Sequence, residues 1–260
     1  MIAWPELRIG VTSPDAGNWQ RFLRSKGYRD ADNRELVVDE KFGPRTAFAT
    51  RSWQRLHGHA QSGTVSLVDR GVAAAEGFIP FLLAKNFTSL INQPSRSIDV
   101  VTIHDMEYPE LPTSAEWCAQ FFAGPAAPRA SAHYSVDSNS IVQSVRDRDV
   151  AWHAPGANHN GIGIEHAGYA KQSRTEWLDT YSRQELAISA KLVAHLCALY
   201  DVPILKLGPA DLRAGRHGIC GHVDVSKAFG KSTHYDPGPS FPWDEYLALV
   251  ELSARDGEPL

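Results

Sequence analysis

Eleven histidines occur in the 260 residues, and nine of them fall between His104 and His234. Imidazole ligates metals and moves protons near neutral pH, so a concentration of it is the first chemistry to weigh. His104 directly follows the run 98–103 (IDVVTI), which is rich in β-branched residues and reads as a buried strand. Its side chain is therefore expected at a strand end. His222 lies within Gly221-His222-Val223-Asp224-Val225, Asp236 follows fourteen residues later, and His234 stands two positions before Asp236. Two imidazoles and one carboxylate make a three-ligand zinc set with a position left open for catalysis, provided the fold brings them together. A lone histidine on a strand is more commonly structural, and spacing alone does not establish convergence. There is no HExxH, so the ligands do not come from one helix in the zincin manner. Cys118, Cys197 and Cys220 form no CxxC pair and are expected to be buried or free thiols of a reducing cytoplasm.

These residues need elements to position them. From residue 85 onward strands and helices alternate. Residues 133–136, 141–145 and 161–165 are short strand candidates. Thr113-x-x-Glu116 is a capping-box pattern opening a helix with Trp117 and Phe121 on one face. Ser182-x-x-Glu185 is a second such pattern; it opens a helix carrying Leu186, Ala190, Val193, Cys197 and Tyr200 as far as Asp201-Val202-Pro203. A last helix is expected after Pro242, through Tyr246, Leu247 and Val250. The pattern predicts an α/β fold, a mixed β-sheet flanked by helices, over about 170 residues. Before it, Trp19, Phe22 and Leu23 share one face of a helix starting near Pro14-Asp15. Pro44 suits the first turn of a second helix, along which Ala49, Trp53 and Leu56 share a face. Residues 65–75 suit a third. A small N-terminal three-helix domain is thus expected over residues 1–80, and the second domain over 81–260.

Composition narrows the partners. Hydrophobic residues make up 43% and charged residues 22%, an ordinary globular balance that excludes disordered or fibrous classes. The formal net charge is −4, without the basic footprint of a nucleic-acid binder. The run 78–84 is far too short to cross a bilayer, and MIAWPELRIG has neither the basic nor the apolar region of a secretory signal. No nucleic acid and no membrane partner is expected, and the chain is expected to act as a monomer.

Two sets of motifs carry a resemblance. Trp19-x-x-Phe22-Leu23, Gly27-Tyr28, Val38-Asp39, Phe42-Gly43-Pro44-x-Thr46, Ala49, Trp53-Gln54 and Gly63-x-Val65 resemble the three-helix peptidoglycan-binding domain of cell-wall hydrolases, over residues 8–78. Val100-Val101-Thr102-Ile103-His104, Ser131-Ala132-His133-Tyr134, Ala151-Trp152-His153-Ala154, Asn160-Gly161-Ile162-Gly163-Ile164-Glu165, Gly221-His222-Val223-Asp224 and Asp236-Pro237-Gly238-Pro239-Ser240-Phe241-Pro242-Trp243 resemble, in family order over residues 85–255, the type 2 N-acetylmuramoyl-L-alanine amidases. That family includes phage endolysins, autolysins and recycling amidases, and is related to peptidoglycan recognition proteins.

The resemblance implies Zn2+ held by His104, His222 and Asp236, with Glu165 as general base. It implies His234 as the group that steadies the oxyanion or delivers a proton to the leaving amine. Asp224 reads either as an acceptor fixing an imidazole tautomer or as a turn carboxylate. His133, Trp152, His153 and Asn160 are the substrate-binding candidates; for His133 and His153 a hydrogen-bonded structural role is the alternative, and for Trp152 a core position. The implied activity is cleavage of the amide between N-acetylmuramic acid and L-alanine in bacterial peptidoglycan. A phage endolysin made in the host cytoplasm and released through a holin-type pore is the preferred source. A cytosolic muropeptide-recycling amidase and a non-catalytic recognition protein are the alternatives.

Overall fold

The computed structural model describes residues 4–256. The chain packs as two compact units divided between Leu82 and Leu83, where the sequence placed the division at residue 80. In the first, α1 (Pro14–Ser25) opens at Ser13, whose hydroxyl accepts from the Ala16 N–H at 3.1 Å. Helix α2 (Pro44–Leu56) starts with proline in its first turn. Helix α3 (Leu67–Ala75) begins later than the apolar spacing predicted, because Ser66 and Asp69 cap it reciprocally. Val65 stays outside it, its N–H bonded to the Leu7 carbonyl at 2.8 Å. Trp19, Phe22, Trp53 and Phe78 form the core, with Trp19 edge-on to Trp53 at 5.5 Å and to Phe78 at 5.0 Å. Leu56, read as an inner-face residue, is 72% exposed at the helix end.

The second unit begins with β1 (Phe87–Thr88), β2 (Val100–Asp105) and α4 (Ser114–Ala123). Strands β3 (Tyr134–Val136), β4 (Ile141–Gln143), β5 (Val150–Ala151) and β6 (Gly161–His166) follow. Helices α5 (Thr180–Tyr200) and α6 (Pro209–Arg213) lead to β7 (Gly218–Gly221), α7 (His222–Phe229) and α8 (Trp243–Asp256). The sheet order is β4-β3-β6-β2-β7, with β1 and β5 pairing separately. Strands β3, β6, β2 and β7 run parallel while β4 is antiparallel to β3, so the sheet is mixed, as expected. Every residue of β2 is buried, as befits a central strand of a parallel sheet covered on both faces. Ser135, Glu165 and His104 lie in register across β3, β6 and β2 and so share one face. On that face the Ser135 hydroxyl bonds to the Ala115 carbonyl of α4. The opposite face is tied to α5 and α8 by a buried chain in which His166 Nε2 meets Ser189 and Ser189 meets Tyr246, each at 2.7 Å.

Neither capping-box pattern forms. The Thr113 side chain makes no cap bond to α4; instead Asp137, brought from β3, accepts from the Ala115 N–H at 3.0 Å, and Glu116 bonds Ser140. Helix α5 starts earlier than predicted because Asp179 caps it, accepting from the Ser182 N–H at 2.9 Å. That leaves Ser182 to bond Glu110 and Glu185 to hold the Ala167 N–H. At α4 the competing acceptor comes from a distant segment, whereas at α5 it is Asp179, three residues before Ser182.

Candidate metal centre and active site

Three segments far apart in sequence converge here. The His104, His222 and Asp236 ligand atoms all lie within 4.8 Å of one another, and all three residues are buried. His104 is the fifth residue of β2 rather than the residue after it. His222 opens α7, immediately after β7, which pairs with β2. The loop bearing Asp236 is fastened to α7 by the Val223 N–H, which donates to the Asp236 carbonyl at 3.0 Å. Close approach needs a glycine: a Cβ at Gly221 would stand 2.9 Å from Pro237.

The three groups already attract one another. His104 Nδ1 is 2.8 Å from Asp236 Oδ2. His222 Nδ1 and His234 Nδ1 lie 3.3 Å and 3.4 Å from Asp236 Oδ1, but with alignment too poor for hydrogen bonds, so this buried oxygen has no donor. Burial works to raise the Asp236 carboxyl, yet the imidazoles around it outweigh burial and hold it far below the usual range. Burial pushes His222 down, favouring the neutral imidazole that ligates metal. Two nitrogens, one carboxylate and an under-coordinated buried oxygen fit a divalent zinc site of the open, catalytic kind.

His104 is braced from behind. Its Nε2 is 3.1 Å from Nδ1 of His153, whose N–H, like that of Ala154, donates to the Asn158 side chain. The His153 ring rests on β6 at Gly163, where a Cβ would come within 2.5 Å of it. An imidazole held at its second nitrogen has its orientation fixed, the usual outer partner of a ligating histidine.

Glu165 occupies the register position beside His104. Among the described residues no donor bonds its carboxylate, and burial, reinforced by Asp236 and Asp105, raises its pKa well above the ordinary value. His234 stacks on His222 with ring centroids 4.5 Å apart and planes 9° apart, its side chain 67% exposed. The Asp236 carboxylate raises its pKa and burial opposes this more weakly.

Other sequence candidates are placed differently. His133 is wholly buried, bonded to Arg96, the Asp149 carbonyl and the Gly163 N–H; it braces the sheet and does not line a groove. His153, 7% exposed, likewise braces His104. Asn160 precedes β6, at the end of the strands away from Glu165, and bonds Asp99, so it does not reach the site. Trp152 is half-buried and donates to Thr88. Asp224 touches no imidazole: it accepts from the Gly221 N–H to cap α7 and pairs with Lys206 at 2.7 Å. Asp105 was missed. Burial and the neighbouring Asp236 push its carboxyl up to about 8; the one available signal was a carboxylate directly after His104.

Comparison with known proteins agrees with this geometry. The N-acetylmuramoyl-L-alanine amidase family model matches residues 94–239, which include every converging residue above. The chain belongs to this family. Residues of this amidase are 31% identical over 180 positions to N-acetylmuramoyl-L-alanine amidase A of Achromobacter lyticus, covering 64% of the chain and 89% of that protein. They are 26% identical over 177 positions to the 1,6-anhydro-N-acetylmuramyl-L-alanine amidase AmpD of Salmonella typhimurium, covering 60% and 82%. The amidase fold also matches the Staphylococcus aureus hydrolase AmiA, with a TM-score of 0.50 and 16% identity over 68% of the chain and 83% of AmiA. Among the described residues, no helix of the amidase is long and apolar enough to cross a membrane.

Proposed function

We propose that this amidase is a zinc-dependent peptidoglycan hydrolase that cleaves the amide joining the lactyl group of N-acetylmuramic acid to L-alanine. The observation that carries this reading is the convergence of His104, His222 and Asp236 within 4.8 Å, with Glu165 in register beside His104. Zinc held by these three residues would supply Lewis-acid polarisation of the scissile carbonyl and a lowered pKa for a bound water.

Glu165 accepts the proton of the attacking water and passes it to the departing L-alanine nitrogen. A carboxylate with no donor and a raised proton affinity is suited to that transfer. His234, at the exposed rim with its pKa raised by Asp236, donates toward the oxyanion of the tetrahedral intermediate. His153 keeps the His104 ring in its ligating orientation.

The first unit serves as the three-helix peptidoglycan-binding domain, raising the local concentration of the enzyme on polymeric wall. With such a module the chain acts as an endolysin on intact sacculi. The likeness to AmpD favours a second reading, recycling of soluble muropeptides. Comparing product release from sacculi with release from soluble muropeptides separates the two.

Mass spectrometry of digested peptidoglycan tests the bond. New N-terminal L-alanine with intact glycan is expected, and new reducing ends would mean a glycosidase. Glu165→Ala and His234→Ala are expected to keep stoichiometric zinc while the Glu165 variant loses roughly 10²–10⁴-fold in turnover. Near wild-type turnover in Glu165→Ala would remove it as the base.

A further inference from the structure

The unit holding the active site keeps three aromatic rings in parallel at its surface. Tyr108 stacks on Trp117 with centroids 3.6 Å apart and planes within 9°. Trp117 is parallel to Phe121 at 5.3 Å and 7°. Trp117 is 36% and Phe121 45% exposed, with Leu111, on the same connection into α4, at 44%. Exposed apolar surface gathered into one ordered stack, unlike scattered single side chains, is the kind that serves for binding.

The stack is tied to the strands that carry the hydrolytic centre. Tyr108 follows the ligand His104 by four residues, and its N–H and carbonyl both pair with Gly168, three residues beyond Glu165. The connection is rigid: Gln172 and Ser182 bind Glu110, and the Tyr181 hydroxyl donates to the Leu111 carbonyl. A ligand on these rings is therefore held at a fixed offset from the strands that carry His104 and Glu165.

Charge selects the occupant. Residues 104–128 contain no Lys or Arg, while Glu107 is exposed and Glu110 half-buried. Such a surface repels the carboxylates of a stem peptide and suits an uncharged ligand. The C–H faces of a pyranose ring carry partial positive charge and stack on the negative face of an aromatic ring.

We propose that Tyr108, Trp117 and Phe121 form a saccharide subsite that takes a neutral N-acetylated sugar of the glycan strand, next to the muramyl residue whose amide is cut. This rests on the peptidoglycan-amidase reading above. The subsite makes the enzyme prefer muramyl residues embedded in a glycan chain over isolated ones.

Two measurements on the full chain test it. In the first, the ratio of kcat/KM on glycan-chain substrate to kcat/KM on a single muramoyl dipeptide is compared for wild type, Phe121→Ser and Trp117→Ala. The ratio is expected to fall about tenfold in the variants; an unchanged ratio overturns the proposal. In the second, a tetramer of N-acetylglucosamine and a free stem tripeptide are titrated separately while the Trp117 indole is followed by NMR. Saturable shifts with the sugar, lost in Phe121→Ser, support the subsite. Shifts with the peptide alone, with neither, or with protein concentration alone overturn it, the last meaning self-association. Phe121→Ser changes only the exposed end of the stack, so it stays informative if Trp117→Ala fails to fold. Should wild type cleave neither substrate, the amidase reading fails while the titration still decides the subsite.

Discussion

Gly163→Ala isolates the support behind the metal ligand. An added Cβ would stand 2.5 Å from Cγ, 2.7 Å from Nδ1 and 2.9 Å from Cβ of His153. Carbon atoms rest at about 3.5–4.0 Å, so the ring must retreat by roughly 1 Å. It has little freedom to do so. Its Nδ1 faces His104 at 3.1 Å, and the N–H groups of His153 and Ala154 are held by Asn158 at 3.0 Å and 2.6 Å. Overpacking of this kind costs about 1–3 kcal/mol. For a unit of this size that lowers the midpoint of unfolding by roughly 3–9 °C. Because the displaced ring orients His104, kcat is expected to drop about 10–100-fold as well. Calorimetry of the second unit and turnover on purified sacculi measure the two effects. The control is the same substitution in a His153→Ala background, where the methyl meets space vacated by the ring and its cost is expected to shrink to about 0.5 kcal/mol or less. An equal loss of stability in both backgrounds would refute the steric argument.

Other expectations can be checked alongside. Asp236→Asn removes a ligand charge and is expected to release zinc to a chelator at concentrations that leave wild type loaded, read by metal analysis after dialysis. In the first unit, His57 is bonded through both nitrogens to acceptors, the Trp53 carbonyl at 2.8 Å and Glu76 at 2.6 Å. The Trp53 carbonyl raises its pKa, burial opposes this, and Glu76 adds to the rise. Burial tends to raise Glu76, but the bonds from Trp53 and His57 lower it overall. The His57 contribution is complete below its unfolded value near 6.5 and disappears as pH climbs through the raised folded value. That of Glu76 is complete above 4.5 and disappears as pH falls through its depressed value. Denaturation of the first unit is therefore expected to show an alkaline loss of stability that His57→Gln abolishes. The Asp15–Arg70 pair, 2.5 Å apart with side chains 2% and 8% exposed, is expected to cost about 3–5 kcal/mol when Arg70→Met strands the carboxylate, measurable by urea denaturation.

The α/β class, most helices and the central strands were legible because they rest on local patterns. The run IDVVTI reads as a strand from its β-branching, and Trp19, Phe22 and Leu23 read as a helix face from their spacing. The capping boxes failed for a physical reason: Asp137 and Asp179 offered better acceptors, and only folding brings Asp137 to α4. His133 and His153 looked like groove residues since a sequence cannot distinguish a histidine facing solvent from one braced beneath a sheet.

The residue types at the centre, two imidazoles and a carboxylate with a glutamate at a strand end, were in place before any fold was known. Their grouping was not, because His104 and Asp236 are 132 positions apart and only the β2–β7 pairing and the Val223–Asp236 bond bring them within reach. The same holds for protonation. Asp105, Glu165 and Asp236 are all carboxyls, but burial among like charges raises the first two while imidazoles hold the third ionised. Composition fixes which groups can titrate; the distances and dielectric created by packing fix which form each takes.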